Sequence, residues 1–219
     1  MLTIYGSTPS PFVKKVLMTA HEKGMEWELK PGGMGRGDAV FEAASPFKKM
    51  PAMADGDYLL CDSSAIIHYL EAKQPDPSLI PVDPRARGRA IWWDEFGDTI
   101  LMAAGGAMFF NLIVAPKFLQ REGNLEAAEL ARTETIPPIF DYIERELPES
   151  GWLVEDRLTI ADISVTAPLV NLFHVDMNPN PDTHPKLTAY REKMFAHGNV
   201  PQLLAMDEAI FERVGGKWV

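Results

Sequence analysis

Only one cysteine, Cys61, stands in the 219 residues. That excludes an internal disulfide, a Cys-x-x-Cys redox pair and any zinc cage built from thiolates. It suits a reducing compartment, and the expected location is the cytoplasm. Basic charge is short as well: 21 Lys and Arg face 31 Asp and Glu, a formal net charge of −10. A nucleic-acid binder needs a basic footprint, so none is expected. No apolar run approaches the ~18 residues of a membrane span, which argues against a membrane segment. The start, Met1-Leu2-Thr3-Ile4-Tyr5-Gly6, has neither the basic nor the long apolar stretch of a secretory leader. The histidines (His21, His68, His174, His184, His197) show no metal-ligand spacing, so no metal is expected. His68 and His174 read most simply as helix residues. What is present is ordinary for a soluble globular chain: 46% apolar and 24% charged residues, at a length of one large or two small domains. Methionine is the exception, with eleven copies of a flexible side chain suited to irregular cores and adaptable apolar pockets.

The first eighty residues switch between the strand and helix periods. Leu2 and Ile4 alternate with Thr3 and Tyr5, a strand signal. Phe12, Val13, Val16, Leu17 and Ala20 then recur at helical spacing, with Gly24 as a stop. Trp27 and Leu29 alternate with Glu26, Glu28 and Lys30 as a second strand. Residues 31–37 hold four glycines in seven positions and read as loop, since helix is costly there. Pro51 to Ala54 and Tyr58 to Cys61 flank Asp55-Gly56, a hairpin signal. From Ser63, the residues Ile66, Ile67, Tyr69 and Leu70 return to helix. The pattern is β-α-β, an irregular connection, then β-β-α: a parallel pair from the βαβ unit, with a hairpin making the sheet mixed.

Four prolines in residues 74–84 mark a linker, and beyond it everything is helical. Asp83-Pro84 opens a helix through Ile91, Trp92, Trp93, Phe96, Ile100 and Leu101. Gly105-Gly106 and Pro116 are expected to interrupt or bend the chain beyond Leu101, and Pro137-Pro138 to kink or restart the next helix. The clearest helix start is Leu158-Thr159-Ile160-Ala161-Asp162-Ile163, a capping box with Asp in place of the longer Glu and Leu158–Ile163 as a hydrophobic staple.

Three places could carry chemistry. In the turn Gly6 to Phe12, Ser10 is placed as the cap and Pro11 as the first helical residue. Ser10 either only caps that helix or also donates its hydroxyl to an anion held by the amides and dipole of the helix start. Met50-Pro51 opens the hairpin, either as an ordinary trans proline or as a cis bond that leaves the Met50 amide and carbonyl free for an extended peptide. Asp62-Ser63-Ser64 precedes the next helix, where capping is one explanation. The other is an ammonium paired with Asp62 beside a carboxylate on Ser63 and the helix amides, the signature of an α-amino-acid end. Lys48 and Lys49 either are solvated or hold a second carboxylate. Cys61, in an alternating strand, reads as a small buried hydrophobe.

Taken together and in this order, these features resemble the glutathione transferase superfamily over essentially the whole chain. Ser10-Pro11-Phe12 resembles its serine-type active-site turn, as in bacterial cytosolic members. Ser45-Pro46-Phe47-Lys48-Lys49-Met50-Pro51 is similar to its "NP…KVP" segment with the cis proline. Asp62-Ser63-Ser64-Ala65-Ile66 is similar to its "E/D-S-x-A-I" motif, and 158–163 matches its "LTIADI" folding box. The sequence departs from the family in Ser45 for the usual Asn, Asp62 for the commoner Glu, Glu155 where Gly is frequent, and Pro137-Pro138 within a helix.

The resemblance implies a thioredoxin-like N-terminal domain (β-α-β-α-β-β-α, mixed four-stranded sheet) over 1–76, a linker over 77–84 and an all-α domain over 85–219. It implies glutathione as co-substrate, bound by Phe12, Lys49, Met50, Pro51, Asp62 and Ser63. Its sulfur would be activated as a thiolate by Ser10, with Tyr5 as the competing partner. The apolar electrophile would be held by Pro9, Met102, Met108, Phe109 and Phe110. Those methionines and aromatics at helical spacing are equally the mark of plain core. The absence of a cysteine in the active-site turn argues against disulfide or dehydroascorbate reduction. A homodimer acting in detoxification is the expectation, with Arg85, Arg87 and Arg89 either at the subunit seam or solvated. A specialised glutathione-dependent lyase, isomerase or peroxidase is the alternative, and a non-catalytic binding protein on this fold is the third reading.

Overall fold

The first unit, Met1–Ile80, is built on a sheet whose strands run β2-β1-β3-β4. The structure is a computed structural model and describes residues 1–214. In chain order the elements are β1 Leu2–Tyr5, α1 Pro11–Glu22, β2 Trp27–Lys30, α2 Ala39–Ala44, β3 Ala52–Asp55, β4 Tyr58–Cys61 and α3 Ser63–Lys73. β1 pairs parallel with β2 and antiparallel with β3, and β3 pairs antiparallel with β4. This is the thioredoxin-like mixed sheet. The stretch before the hairpin, irregular by its hydrophobic pattern, contains the short helix α2. Its six residues include three alanines, and the Asp38 carboxylate accepts the Phe41 amide at 2.9 Å as its cap.

Strand alternation divides the core. Tyr5, Ala52 and Ala54 point to one face, where Phe41 and Ala44 of α2 cover them and Leu59 and Cys61 pack alongside. Leu2, Ile4 and Met53 point the other way and are buried with Val13, Val16 and Leu17 of α1 and Ile66, Ile67 and Leu70 of α3, two helices that pack together. Helix α1 starts where Pro11, without an N–H to satisfy, sits at its first position, and it ends at Gly24, whose φ is +63°.

The proline-rich stretch is tied down as far as Ile80. The Glu71 carboxylate accepts the amides of Leu79 and Ile80, each at 3.2 Å, and the Ser78 hydroxyl at 3.1 Å. The buried Lys23 ammonium pairs with Glu71 and donates to the Pro77 carbonyl at 2.6 Å. Burial pushes the Glu71 carboxyl up, but Lys23 and the two amides outweigh it and hold its pKa below the ordinary value. The two compact units accordingly divide between Ile80 and Pro81.

The second unit is helical throughout its described residues. Helix α4, Pro84–Phe118, runs 35 residues without a break. This corrects the expected interruption. Gly105-Gly106 lie inside α4, and Pro116 falls in a stretch of wider π-type winding, Phe110–Phe118, that absorbs its missing donor. It also corrects the expectation from run length, because α4 is long and apolar enough to cross a membrane by length and composition alone. In this fold it is a bundle helix packed along α6, Ile160–Phe173. Residues 125–146 form α5, in which a π-type stretch, Ala131–Thr135, precedes Pro137-Pro138. Helices α7, Pro185–Phe195, and α8, Val200–Arg213, complete the unit.

Helix α6 is the centre of this unit, buried at every position from Ile160 to Leu172. Pro168 has no N–H to offer the Ser164 carbonyl one turn back. Gly97 of α4 lies against that carbonyl so closely that a Cβ would sit 2.4 Å from the oxygen. Beside it the buried Ser164 hydroxyl donates to Asp94 at 2.6 Å. At the start of α6 the folding box closes as its sequence suggests. Asp162 accepts the Thr159 amide at 2.9 Å, the Thr159 hydroxyl at 3.2 Å and the Leu153 amide at 3.0 Å. Burial raises its pKa to about 6 against those hydrogen bonds. His174 pairs with Asp207 at 3.0 Å, a buried contact between α6 and α8.

Candidate functional site

Sheet register puts the three chemistry-bearing segments at one end of the first unit. Tyr5 pairs with Ala52, and Ala52 with Cys61, so one row crosses the ends of β1, β3 and β4. The residues just beyond that row are Gly6, Pro51 and Asp62, each opening one of the three segments. Gly6 lies against Val13 and Met50; a Cβ there would be 2.4 Å from the Val13 methyl and 3.4 Å from the Met50 Cβ. The turn before α1 and the Met50 segment are therefore neighbours.

Ser10 is the N-cap of α1, and its Oγ accepts the Val13 amide at a long 3.4 Å. Capping uses an acceptor lone pair and leaves the hydroxyl proton available, so the two readings of Ser10 are compatible. Pro11 brings no N–H, and the Phe12 amide has no hydrogen-bond partner among the described residues. Ser10 and Phe12 are half-buried, and Pro9 is buried.

The Met50-Pro51 bond is cis. Among the described residues neither the Met50 amide nor its carbonyl has a hydrogen-bond partner. The Met50 side chain packs on Gly33, where a Cβ would come 2.8 Å from the methyl. The preceding loop is fastened by Ser45, whose hydroxyl donates to the Lys49 carbonyl at 2.7 Å and accepts the Lys49 amide at 3.0 Å. Serine in place of asparagine thus still closes the loop. Lys48 pairs with Glu42 at 2.8 Å on the surface, and the exposed Lys49 side chain lies beside Met50 in sequence.

Asp62 has φ +78° and caps α3 by accepting the Ala65 amide at 3.0 Å through Oδ1. The residue is exposed, Ser63 is buried, and the Ser64 hydroxyl accepts from the buried Lys15 ammonium at 3.0 Å. Ser64 belongs to the cluster read from the sequence, but Lys15 was not singled out, because its pairing with Ser64 spans 49 residues. The Gly33 contact was missed too, although the glycine cluster was its signal.

The other nominated residues lie elsewhere. Tyr5 is on the α2 face, 2% exposed, with its ring 5.9 Å from Phe41. Burial raises its pKa first, and the negative charge of the neighbouring Asp38 raises it further. Alternation along β1 separates it from α1, so Ser10 is the hydroxyl at the helix start. Cys61 packs under α2 as a small hydrophobe. In α4, Met108 and Phe109 are closed into the core, with the Phe109 ring 6.2 Å from Phe211. Met102, lying over Gly106, is half-buried, and Phe110 is 39% exposed. Among the described residues no group of His, Cys, Asp and Glu could hold a metal.

Comparison with known proteins matches both units. Residues 4–78 fit the model of the glutathione S-transferase N-terminal domain, and residues 109–207 that of the C-terminal domain. Glutathione S-transferase F13 of Arabidopsis thaliana is 31% identical over 168 residues, 74% of this chain and 76% of the relative. The chain belongs to the glutathione S-transferase family. GstB of Escherichia coli strain K12 is 29% identical over 186 residues, covering 83% of this chain and 88% of that protein. A glutathione S-transferase-I solved with lactoylglutathione shares the fold at a TM-score of 0.82 and 21% identity, over 94% of this chain and 99% of its own. Members of the family are transferases that use glutathione.

Proposed function

We propose that this transferase activates glutathione as a thiolate at Ser10 for attack on small hydrophobic electrophiles. The observation that carries the reading is the row Tyr5–Ala52–Cys61, beyond which the Ser10 cap, the unpaired Met50 backbone and the α3 N-terminus follow at one end of the sheet. An extended tripeptide lies along Met50 in strand-like pairing, beside Pro51. Its γ-glutamyl ammonium meets the second Asp62 oxygen and its α-carboxylate meets Ser63 and the α3 amides. Its glycine carboxylate falls near Lys49. The lactoylglutathione bound by the solved relative is the same tripeptide carrying an acyl group, which fits this reading.

The sulfur then meets the Ser10 hydroxyl and the Phe12 amide at the positive end of α1. A free thiol titrates near 8.5, so lowering it by about two units needs roughly 2.7 kcal/mol of preference for the anion. A hydroxyl donor, an open amide and a helix dipole together are of that size. The thiolate attacks an electrophilic carbon, and the carbon's leaving group departs with the bonding pair. The half-buried Phe12 offers apolar surface next to the sulfur, and Pro9 is buried beside Ser10. A cytoplasmic homodimer completes the reading, and sedimentation equilibrium at twice the mass of one chain is the expected result.

The test is a calorimetric titration with glutathione, together with the thiolate absorbance of the bound ligand against pH. Binding with a thiol pKa well below 8.5 is expected. Binding with an ordinary pKa would favour a specialised or inactivated site, and no binding would favour a scaffold.

A further inference from the structure

We infer that Lys15 is a positioning residue for the carboxylate seat at the start of α3, so that helix α1 sets both ends of the glutathione site. The inference rests on the glutathione-binding reading of this site. Lys15 is 1% exposed, and its ammonium donates to the Ser64 hydroxyl at 3.0 Å. Ser64 lies in the first turn of α3, next to Ser63 and two residues after the Asp62 cap. The Asp62 carboxylate is partly spent on the Ala65 amide, so it cannot by itself fix where the Ser63 hydroxyl and the first amides point. A second tie comes from α1.

That tie has two consequences. The ammonium adds a full positive charge to the partial positive charge of a helix N-terminus, which stabilises a carboxylate bound there. It also makes one rigid element carry both contacts. Ser10 caps α1, and Lys15 lies five residues on, about 7.5 Å along the axis at 1.5 Å per residue. The spacing between the sulfur contact and the carboxylate seat is therefore set by a single helix rather than by two loops. Lys23, the residue that caps the C-terminal end of α1, is the precedent: its buried ammonium ties that end of the helix to Glu71 near the other end of α3.

The experiment compares wild type, Lys15→Met, Ser64→Ala and the double variant. Glutathione affinity is measured by calorimetry, KM and kcat by steady-state assay, and amide exchange at residues 63–66 by mass spectrometry. Lys15→Met is expected to weaken glutathione binding about tenfold and to raise KM for glutathione in step, with kcat within about twofold. Ser64→Ala should lose a similar amount, the double variant no more than the larger single, and exchange at 63–66 should quicken. A merely structural lysine would lower the melting temperature and leave KM alone, which overturns the inference, as do additive losses or a fall in kcat at unchanged KM. Should Lys15→Met not fold, Ser64→Ala carries the same test. If wild type does not bind glutathione, the functional reading falls first, and with it the carboxylate seat. Exchange at 63–66 then separates the two: unaltered exchange in the variants shows that the tie itself was also misjudged.

Discussion

Two helix starts, those of α1 and α6, use the same local chemistry to opposite ends. Both put a hydroxyl residue at the cap, Ser10 and Thr159. At α6 the carboxylate of Asp162 takes three hydrogen bonds and is fully buried, so the residues leading into the helix are tied to its first turn from within the chain. At α1 the cap bond is long, 3.4 Å, the next residue is a proline, and the Phe12 amide has no partner among the described residues. A helix start closed over by a buried, triply bonded carboxylate holds a fold together, whereas a half-buried start with an open amide is free to hold a ligand.

The largest expected effect comes from emptying the buried start. Asp162→Ala removes the acceptor for the buried Leu153 and Thr159 amides and should cost about 4 kcal/mol, the range for losing a buried hydrogen-bond cluster. Chemical denaturation measures it; a loss below about 1 kcal/mol would remove the contrast between the two starts. The same carboxyl gives a pH signature. Its folded pKa, about 6, lies above the ordinary value of 3.8. Its contribution to stability is therefore fully present below the unfolded value and is lost as pH rises through the folded one. Wild-type stability relative to Asp162→Asn should fall by up to about 3 kcal/mol between pH 4 and pH 6 and stay level above that. A difference that rises over that window would show that the hydrogen bonds outweigh burial.

Emptying the half-buried start should do the reverse. Ser10→Ala is expected to cost less than about 1 kcal/mol of stability, since the bond it removes is long. It should lower kcat/KM by about ten- to a hundredfold and raise the bound thiol pKa, with glutathione affinity largely kept. Full activity in Ser10→Ala with a loss in Tyr5→Phe would move the sulfur to the other face of the sheet and end the comparison.

Local signals carried most of the fold. The Leu2–Ile4 alternation, the Asp55-Gly56 hairpin and the 158–163 box are each written within a few neighbouring residues, and each forms as read. The alternation even shows that Tyr5 faces away from Leu2 and Ile4, a signal against its role that is legible in four residues. What the pattern misjudged depends on distant partners. Gly105-Gly106 are helix-weakening by propensity, yet α4 continues through them because Leu172 of α6 packs on Gly105. Lys15 in α1 and Lys23 just past it are buried lysines, and the partners shown for them, Ser64 for one and Glu71 and Pro77 for the other, lie about fifty residues away. Among site residues, Ser10, Met50 and Asp62 could be nominated from turn chemistry, but their convergence required the strand register.

The smallest effect sharpens the comparison at the approach to α6. The family often has Gly where this chain has Glu155, and the backbone keeps the geometry that favours glycine: φ is +61° at Glu155 and +50° at Asp156. A side chain in the left-handed region costs about 1–2 kcal/mol. Part of that is offset by the ion pair to Arg157 at 2.6 Å, a surface contact of at most about 1 kcal/mol. Glycine also brings more freedom to the unfolded chain, which opposes the gain. Glu155→Gly should accordingly raise stability by less than about 1 kcal/mol and leave glutathione affinity and turnover unchanged. A melting temperature that drops instead would mean that the Arg157 pair fixes the entry to the folding box. The buried start would then draw its rigidity from the loop before it as well as from Asp162.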